Sequence, residues 1–286
     1  MISAGIASFY FPPPRIYPPA AFYLEVSSNF RYHEYVDELE VREMLNEQVV
    51  FITGAGRGIG RAIAELFASK GAIIAAAARS VGEITEVCDN ITSAGGRAIP
   101  VQMDLTDESS IKNAITKAQS ELGPIDILIN NAAVITLHKI VDTPTDAWDQ
   151  LMSTNMRGLF ITCREVLPQM IERKSGRIVN VGSMAGRRGY IEQAAYCASK
   201  HALVGFTKVL ALETQKFGIR VNMLSPGGVL TGLSTDLRAS RGESEDSPEW
   251  MTADEVAAAA LYLCSQDGAA LTDELVLRRY ASEPWR

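Results

Sequence analysis

Six short apolar runs, at residues 49 to 53, 72 to 78, 97 to 101, 125 to 130, 177 to 182 and 219 to 224, alternate with helical patterns at 59 to 70, 82 to 94, 107 to 121, 146 to 173 and 194 to 217. Runs this short and this apolar read as strands buried on both faces. Strands that alternate with helices dictate an α/β fold: a single doubly wound parallel sheet, joined by right-handed crossovers, with helices on both faces. Such sheets bind ligands outside the carboxyl ends of their strands, where strand order reverses. Thr53, Arg79, Asp104, Asn131, Ser183 and Pro226 all fall at or just past predicted strand ends, so the candidate residues converge on one edge. Residues 48 to 286 suffice for one large domain with a well-buried core and not for a second.

The turn after the first run is dense in glycine: Val-Val-Phe-Ile-Thr-Gly-Ala-Gly-Arg-Gly-Ile-Gly, residues 49 to 60. Glycines let the backbone approach a pyrophosphate closely, and the helix starting near Gly58 points free N–H groups and its positive dipole end at it. Gly54, Gly58 and Gly60 make G-x-x-x-G-x-G rather than G-x-G-x-x-G. Alone, such a loop is weak evidence, since some are only tight structural turns. A second feature is Tyr196-Cys-Ala-Ser-Lys200, with Ser183 upstream at the end of the run Arg-Ile-Val-Asn-Val-Gly-Ser. Positions i and i+4 share one helix face, which puts the Lys200 ammonium beside the Tyr196 phenol, where it favours the ionised form. A free phenol, with a pKa of about 10, holds its proton too tightly for efficient acid–base work near neutrality, and a nearby cation corrects that.

Thr53-Gly54-x-x-x-Gly58-Ile59-Gly60, Asn130-Asn131-Ala132, Asn155, Ser183, Tyr196-x-x-x-Lys200 and Pro226-Gly227-x-Val229-x-Thr231 occur in this order and at these separations in short-chain dehydrogenases/reductases. The chain resembles that family from about residue 48 to about 275. The resemblance implies a Rossmann-like fold and hydride transfer between a nicotinamide and a ketone, aldehyde or secondary alcohol. It makes Tyr196 the general acid or base and Lys200 the residue that lowers its pKa and holds the nicotinamide ribose. Ser183 becomes a donor to the substrate oxygen, and Asn155 the anchor of a water linking Lys200 to solvent. On the cofactor side it implies contacts from Asp104 and Leu105 to adenine, from Asn131 and Ala132 to a ribose, and from Pro226, Val229 and Thr231 to the carboxamide and pyrophosphate. Asp104 is alternatively a cap for the helix at 107 to 121. Ala133 stands where the family usually has glycine. The end of the chain, Leu271-Thr-Asp-Glu-Leu-Val-Leu-Arg-Arg-Tyr280, departs from the family's Thr-Gly and Gly-Gly. A homodimer or homotetramer through the long helices is implied by resemblance alone.

Charge selects the cofactor. An acid at the end of the second strand accepts from the ribose hydroxyls of NAD. Here that strand ends Ala78-Arg79-Ser80, with no acid, and Arg57 precedes the second motif glycine. Both arginines are placed to face a 2′-phosphate, so NADP(H) is expected in preference to NAD(H).

Fold does not fix function, so a catalytically silent NADP-binding regulator is the alternative; intact Ser183, Tyr196, Lys200 and Asn155 argue against it. A serine hydrolase built on Ser183 fails because Val181 occupies a position where G-x-S-x-G requires glycine. The net charge of −7 and a pI near 5.2 argue against nucleic acid or an anionic membrane as main partner. Cys88, Cys163, Cys197 and Cys264 form no C-x-x-C pair and read as core thiols of a reducing, cytoplasmic setting. His33, His138 and His201 form no ligand spacing, and no metal is implied.

Residues 1 to 47 differ in character: 9 to 23 are aromatic and proline-rich, and 34 to 47 are acidic with a helical apolar rhythm. Polyproline II or disorder suits the first part. No run approaches the ~20 apolar residues of a membrane span, and no secretory signal is recognisable. Two readings stand for this extension: a dispensable segment upstream of a translation start at Met44, or an arm that docks on a partner subunit. A short polar lid is expected over 233 to 250.

Overall fold

The computed structural model describes residues 45–232, 234 and 250–282. The predicted extension lies outside them except for Leu45 to Glu47, as does the predicted lid except for Ser234 and Trp250. Seven parallel strands form one sheet: β1 (Val49–Thr53), β2 (Ile73–Ala78), β3 (Arg97–Gln102), β4 (Ile127–Asn130), β5 (Gly176–Val181), β6 (Ile219–Pro226) and β7 (Glu274–Leu277). Their order is β3-β2-β1-β4-β5-β6-β7, so the strand order reverses between β1 and β4. The helices are α1 (Gly58–Ser69), α2 (Val81–Ser93), α3 (Glu108–Leu122), α4 (Thr145–Met152), α5 (Leu159–Arg173), α6 (Ala194–Thr214) and α7 (Ala253–Ser265).

Side-chain alternation along β1 divides the core into two layers. Val50 and Ile52 face a cluster with Ile63 and Phe67 of α1, Ile84 and Val87 of α2, and Val256 and Leu263 of α7. Val49 and Phe51 face the opposite cluster, with Ile111 and Ile115 of α3, Val166 and Met170 of α5, and Leu203 and Leu210 of α6. Burial of a side chain such as Phe67 contributes roughly 1.5–3 kcal/mol, so both layers are needed to hold a sheet with two apolar faces. Pro100 sits within β3, which is tolerated because β3 is an edge strand and Pro lacks only a donor there.

The predicted strands and helices agree with these elements to within two residues at most ends, and two differences stand out. The pattern at 146 to 173 is not one uniform helix: between α4 and α5 the backbone widens to a π-helical turn over Ser153–Gly158. Helix α7 was absent from the predicted alternation. It opens with a capping box, in which Thr252 Oγ1 accepts from the Glu255 N–H while Glu255 Oε2 accepts from the Thr252 N–H. The four cysteines are free and buried, as expected of core thiols. Among the described residues no helix is long and apolar enough to cross a membrane, and no group of His, Cys, Asp and Glu could hold a metal ion.

Candidate active site

At the reversal of strand order the chain opens into a cleft of about 1460 Å³ along the carboxyl ends of the strands. Its centre is a lock between β1 and β4. Thr53 Oγ1 accepts from the N–H groups of both Asn131 and Ala132, each at 3.0 Å. Asn131 Nδ2 donates back to the carbonyls of Thr53 and Gly54, at 3.0 and 3.2 Å. The glycine turn closes over this lock. Gly54 and Gly58 have φ of 67° and 56°, a region costly for other residues. A Cβ on Gly60 would lie 2.2 Å from the Gly54 carbonyl oxygen, so only glycine fits there. Helix α1 begins at Gly58 and Arg57 provides no side-chain cap, so its first N–H groups face the cleft without a side-chain acceptor.

Arg57, Ile59, Arg79, Asp104 and Leu105 line the cleft at its β1, β2 and β3 end, and Pro226, Val229 and Thr231 line it at the end of β6. Arg57 and Arg79 are exposed, and among the described residues neither guanidinium makes a hydrogen bond or ion pair. Gly58 sits under Thr231, while Gly60 is buried beneath the turn. Asp104 Oδ1 accepts from the N–H and hydroxyl of Thr106, and the former bond is the main reason its carboxyl lies below the usual range; Arg79 adds to the effect. The cap of α3 is Asp107, which accepts from the Ser109 N–H, so the alternative role for Asp104 as that cap is set aside.

At the other end Ser183, Tyr196 and Lys200 come together. Ser183, just past β5, accepts from the Ala185 N–H at 3.1 Å and lines the cleft with Tyr196. Tyr196 and Lys200 share the face of α6 turned to the cleft, with the ammonium 5.7 Å from the ring centroid. Both are buried, at 8% and 3% exposure. Their proton affinities depart from the sequence expectation. Lys200 donates to the Val181 carbonyl at 2.9 Å rather than to the phenol, and burial lowers its pKa to about 8. Burial pushes Tyr196 up to about 12, with the Ser183 hydroxyl only partly opposing it. Desolvation, not the neighbouring cation, therefore dominates the phenol, because a buried low-dielectric site favours neutral forms of both groups.

Asn155 lies buried beneath the cleft within the π-helical turn. Its Oδ1 accepts from the Val134 N–H, and its Nδ2 donates to the Val134 carbonyl and to Ser199 Oγ, at 2.8, 2.9 and 3.2 Å. The extra backbone residue of a π turn re-aims this side chain toward the loop after β4. The asparagine thereby ties three segments of the site together: that loop, the α4–α5 junction and α6. The cleft is also lined by residues outside the expected site: Arg187, Arg188, Tyr190 and Gln193 before α6, Trp250 at the end of the expected lid, and Arg278 and Arg279 in the divergent stretch after β7. Their only sequence signal was two Arg-Arg pairs just downstream of strand ends.

A family model described as short chain dehydrogenase matches residues 48–242. The 3-oxoacyl-[acyl-carrier-protein] reductase FabG of Escherichia coli (strain K12) is 34% identical over 231 residues, covering 79% of this chain and 93% of that protein. The NAD-dependent glycerol dehydrogenase of Listeria innocua is 35% identical over 236 residues, covering 80% and 91%. A crystal structure of a metagenomic short-chain oxidoreductase in complex with NADP superimposes with a TM-score of 0.72 at 30% identity, covering 82% of this chain and 99% of the other. A putative NAD(P) dependent gluconate 5-dehydrogenase from Beutenbergia cavernae, with bound NADP, gives 0.75 at 33% identity, covering 82% and 95%. The chain carries the Rossmann-like fold of these oxidoreductases and belongs to the short chain dehydrogenase family.

Proposed function

We propose that this protein is an NADP(H)-dependent oxidoreductase that interconverts a ketone or aldehyde with the corresponding alcohol, using Tyr196 as the proton donor and acceptor. One observation carries the reading: Ser183, Tyr196 and buried Lys200 line the same cleft as the glycine turn that begins at Gly54. The turn fits a dinucleotide, because it lines the cleft and the N–H groups opening α1 are without a side-chain cap. Arg57 and Arg79 would hold a 2′-phosphate, and no acid stands at the end of β2 to favour the free hydroxyl. A charge-assisted hydrogen bond is worth roughly 1.5–3 kcal/mol, tenfold or more in affinity, so either arginine suffices for a preference. Asp104, Leu105, Asn131, Ala132, Pro226, Val229 and Thr231 would complete the cofactor contacts.

A bound reduced nicotinamide supplies the hydride. The chain supplies the rest. Ser183 donates to the substrate oxygen and steadies the charge that grows on it. Tyr196, whose burial keeps it protonated at neutrality, delivers its proton to that oxygen and recovers one from solvent past Lys200. In the alcohol-oxidising direction the same phenol oxygen takes the hydroxyl proton. Asn155 acts as a positioning residue through Val134 and Ser199. Exposed Phe160 on α5 and Val209 and Leu212 on α6 support pairing of subunits through these helices, which sedimentation of a Leu212→Glu variant would test by its conversion to monomer.

The test of the reaction is nicotinamide absorbance followed with the wild type and Tyr196→Phe across ketones and alcohols. Loss of at least about 100-fold in kcat with NADPH binding retained is expected. Full activity of the variant refutes the assignment, and tight NADPH binding without turnover of any carbonyl would favour the silent regulator.

A further inference from the structure

Gln193 opens α6 as its N-cap residue, on the turn that precedes Tyr196 and Lys200. Positions i, i+3 and i+7 share one helix face, and all three residues line the cleft. Gln193 is 3% exposed, its side chain makes no cap bond to the helix, and its Nε2 is buried with no hydrogen-bond partner among the described residues. His138, opposite it in an isolated parallel bridge, does not supply one, since its own Nδ1 is likewise unpartnered. Buried polar groups in folded proteins are paired in all but a few cases, because a stranded donor forfeits its bonds to water.

The backbone around this amide is fully engaged. The Gln193 N–H donates to the Tyr190 carbonyl at 3.2 Å, and the Gln193 carbonyl accepts from the Cys197 N–H at 2.8 Å. The preceding residue, Glu192, accepts at its carbonyl from the His138 N–H at 2.9 Å and has φ of 63°, a left-handed conformation that is costly for a residue with a Cβ. Such strain persists only where the surrounding structure imposes it. Here the bridge on one side and the first turn of α6 on the other impose it, and together they set Gln193 in the cleft wall. The wall beside it is apolar in character: Val134, Ile135 and Tyr190 line the cleft and pack against the buried cluster that contains Tyr196.

We infer that Gln193 is a substrate-binding residue whose amide donates to a second oxygen of the substrate, carried on the carbon next to the reacting carbonyl or one further along: a dicarbonyl compound rather than a simple ketone. The inference rests on the oxidoreductase reading above and narrows it to a substrate class. Residues three apart on a helix have Cβ atoms about 5–6 Å apart, so the oxygens reached by Tyr196 and Gln193 sit on nearby carbons. The terminal torsion of a glutamine is broad, and rotation about it presents an N–H to the cleft surface that Gln193 lines. Val134, Ile135 and Tyr190 take the hydrocarbon remainder. Hydride from the reduced nicotinamide goes to the reacting carbon and the Tyr196 proton to its oxygen, giving a hydroxyketone or hydroxy ester whose second oxygen is untouched.

The experiment measures kcat/KM with NADPH for two matched pairs, 2,3-hexanedione against 2-hexanone and ethyl acetoacetate against 2-heptanone, in the wild type and in Gln193→Met, which keeps the length of the side chain without its amide. Dicarbonyls are the more electrophilic members, so the loss on substitution is diagnostic and the wild-type preference is not. The expected loss is at least about tenfold greater for the dicarbonyl member of one pair or both, and the pair that separates gives the spacing of the two oxygens. Gln193→Glu, equal in length and without a donor at neutral pH, should show the same selective loss and replaces the methionine variant should that fold poorly. Losses that are equal within both pairs, or larger for the monoketones, overturn the inference while leaving the reductase reading intact. For any pair with a member that is not reduced, calorimetric titration of both members into protein saturated with NADP decides: dicarbonyl binding weakened at least about tenfold more than monoketone binding by Gln193→Met sustains the contact, and equal weakening or no binding to the wild type overturns it. Should no carbonyl be reduced at all, the reductase reading fails on its own and the same titration judges Gln193.

Discussion

Replacing Thr53 by valine exchanges a buried hydroxyl for a methyl of nearly equal volume and so isolates the hydrogen bonds that join β1 to the loop after β4. Thr53 is 2% exposed, and its Oγ1 serves two backbone N–H groups, of Asn131 and Ala132, while donating to the Ile129 carbonyl at 3.4 Å. In Thr53→Val both N–H groups face a methyl. A stranded buried donor costs about 1–3 kcal/mol, and because Asn131 and Ala132 are only half-buried the lower end applies to each. The long bond to Ile129 adds little, and the extra apolar surface returns less than about 1 kcal/mol. The net loss is about 2 kcal/mol, roughly 30-fold in the folding equilibrium and about 4–8 °C in Tm for a domain of this size. Urea unfolding followed by circular dichroism reads it as a lower midpoint at unchanged slope. Thr53→Ser keeps the oxygen and should recover most of the loss. A valine variant within about 0.5 kcal/mol of the wild type, or a serine variant as damaged as the valine one, would refute the lock. The Kd for NADPH should weaken in the valine variant, because Asn131 and Ala132 line the cleft proposed to hold it.

Gly60→Ala sets a Cβ 2.2 Å from the Gly54 carbonyl, so the turn must open; NADPH affinity measured by fluorescence titration should fall at least about tenfold, and unchanged affinity would contradict the close approach. Arg79→Ala should weaken NADPH at least about tenfold and leave NADH unchanged, a difference that equal losses for both cofactors would rule out. Burial lowers Lys200 from 10.5 to about 8, so between those values the unfolded chain keeps a proton the folded chain has released, and stability contributed at this residue rises with pH across that window. The stability difference between the wild type and Lys200→Met should therefore move in favour of the wild type by up to about 3 kcal/mol from pH 8 to about 10, and a flat difference would show Lys200 to be unperturbed.

The sheet was legible because a parallel strand covered on both faces must be apolar throughout, and β1, β2 and β4 carry little else. What escaped the sequence has physical reasons. The π turn at Ser153–Gly158 adds one residue to a helical turn without interrupting the hydrophobic rhythm on either side, so the pattern at 146 to 173 ran through it. Helix α7 is a run of alanines between Val256 and Leu263 with little contrast between its faces, and only Thr252 and Glu255 announced it. Strand β7 is four residues long at a sheet edge and carries no polar–apolar alternation to distinguish it from a loop. The arginines that line the cleft after β5 and β7 escaped for a further reason: those strands are separated in the sheet by β6, and no local spacing encodes that neighbourhood.

The Tyr196–Lys200 pair marks where spacing stops being informative. Four residues along a helix fix that two side chains share a face, and they do. Proton affinity depends instead on what surrounds that face, and here α6 packs its Tyr196 side against Leu151 of α4, Ala185 and its own Ala195. In such surroundings the phenolate and the ammonium are both penalised, so the phenol rises to about 12 and the amine falls to about 8. The Val181 carbonyl then captures the ammonium as hydrogen-bond donor, which removes it from the phenol oxygen. This arrangement keeps the phenol protonated at neutral pH and also makes its proton harder to give up than that of a free phenol, so the proposed donor role depends on the charge that grows on the substrate oxygen to draw the proton away. The burial that defeats the simple charge argument thus fixes the resting state alone: a protonated Tyr196 beside a Lys200 that is charged at neutral pH and discharges as the pH passes about 8.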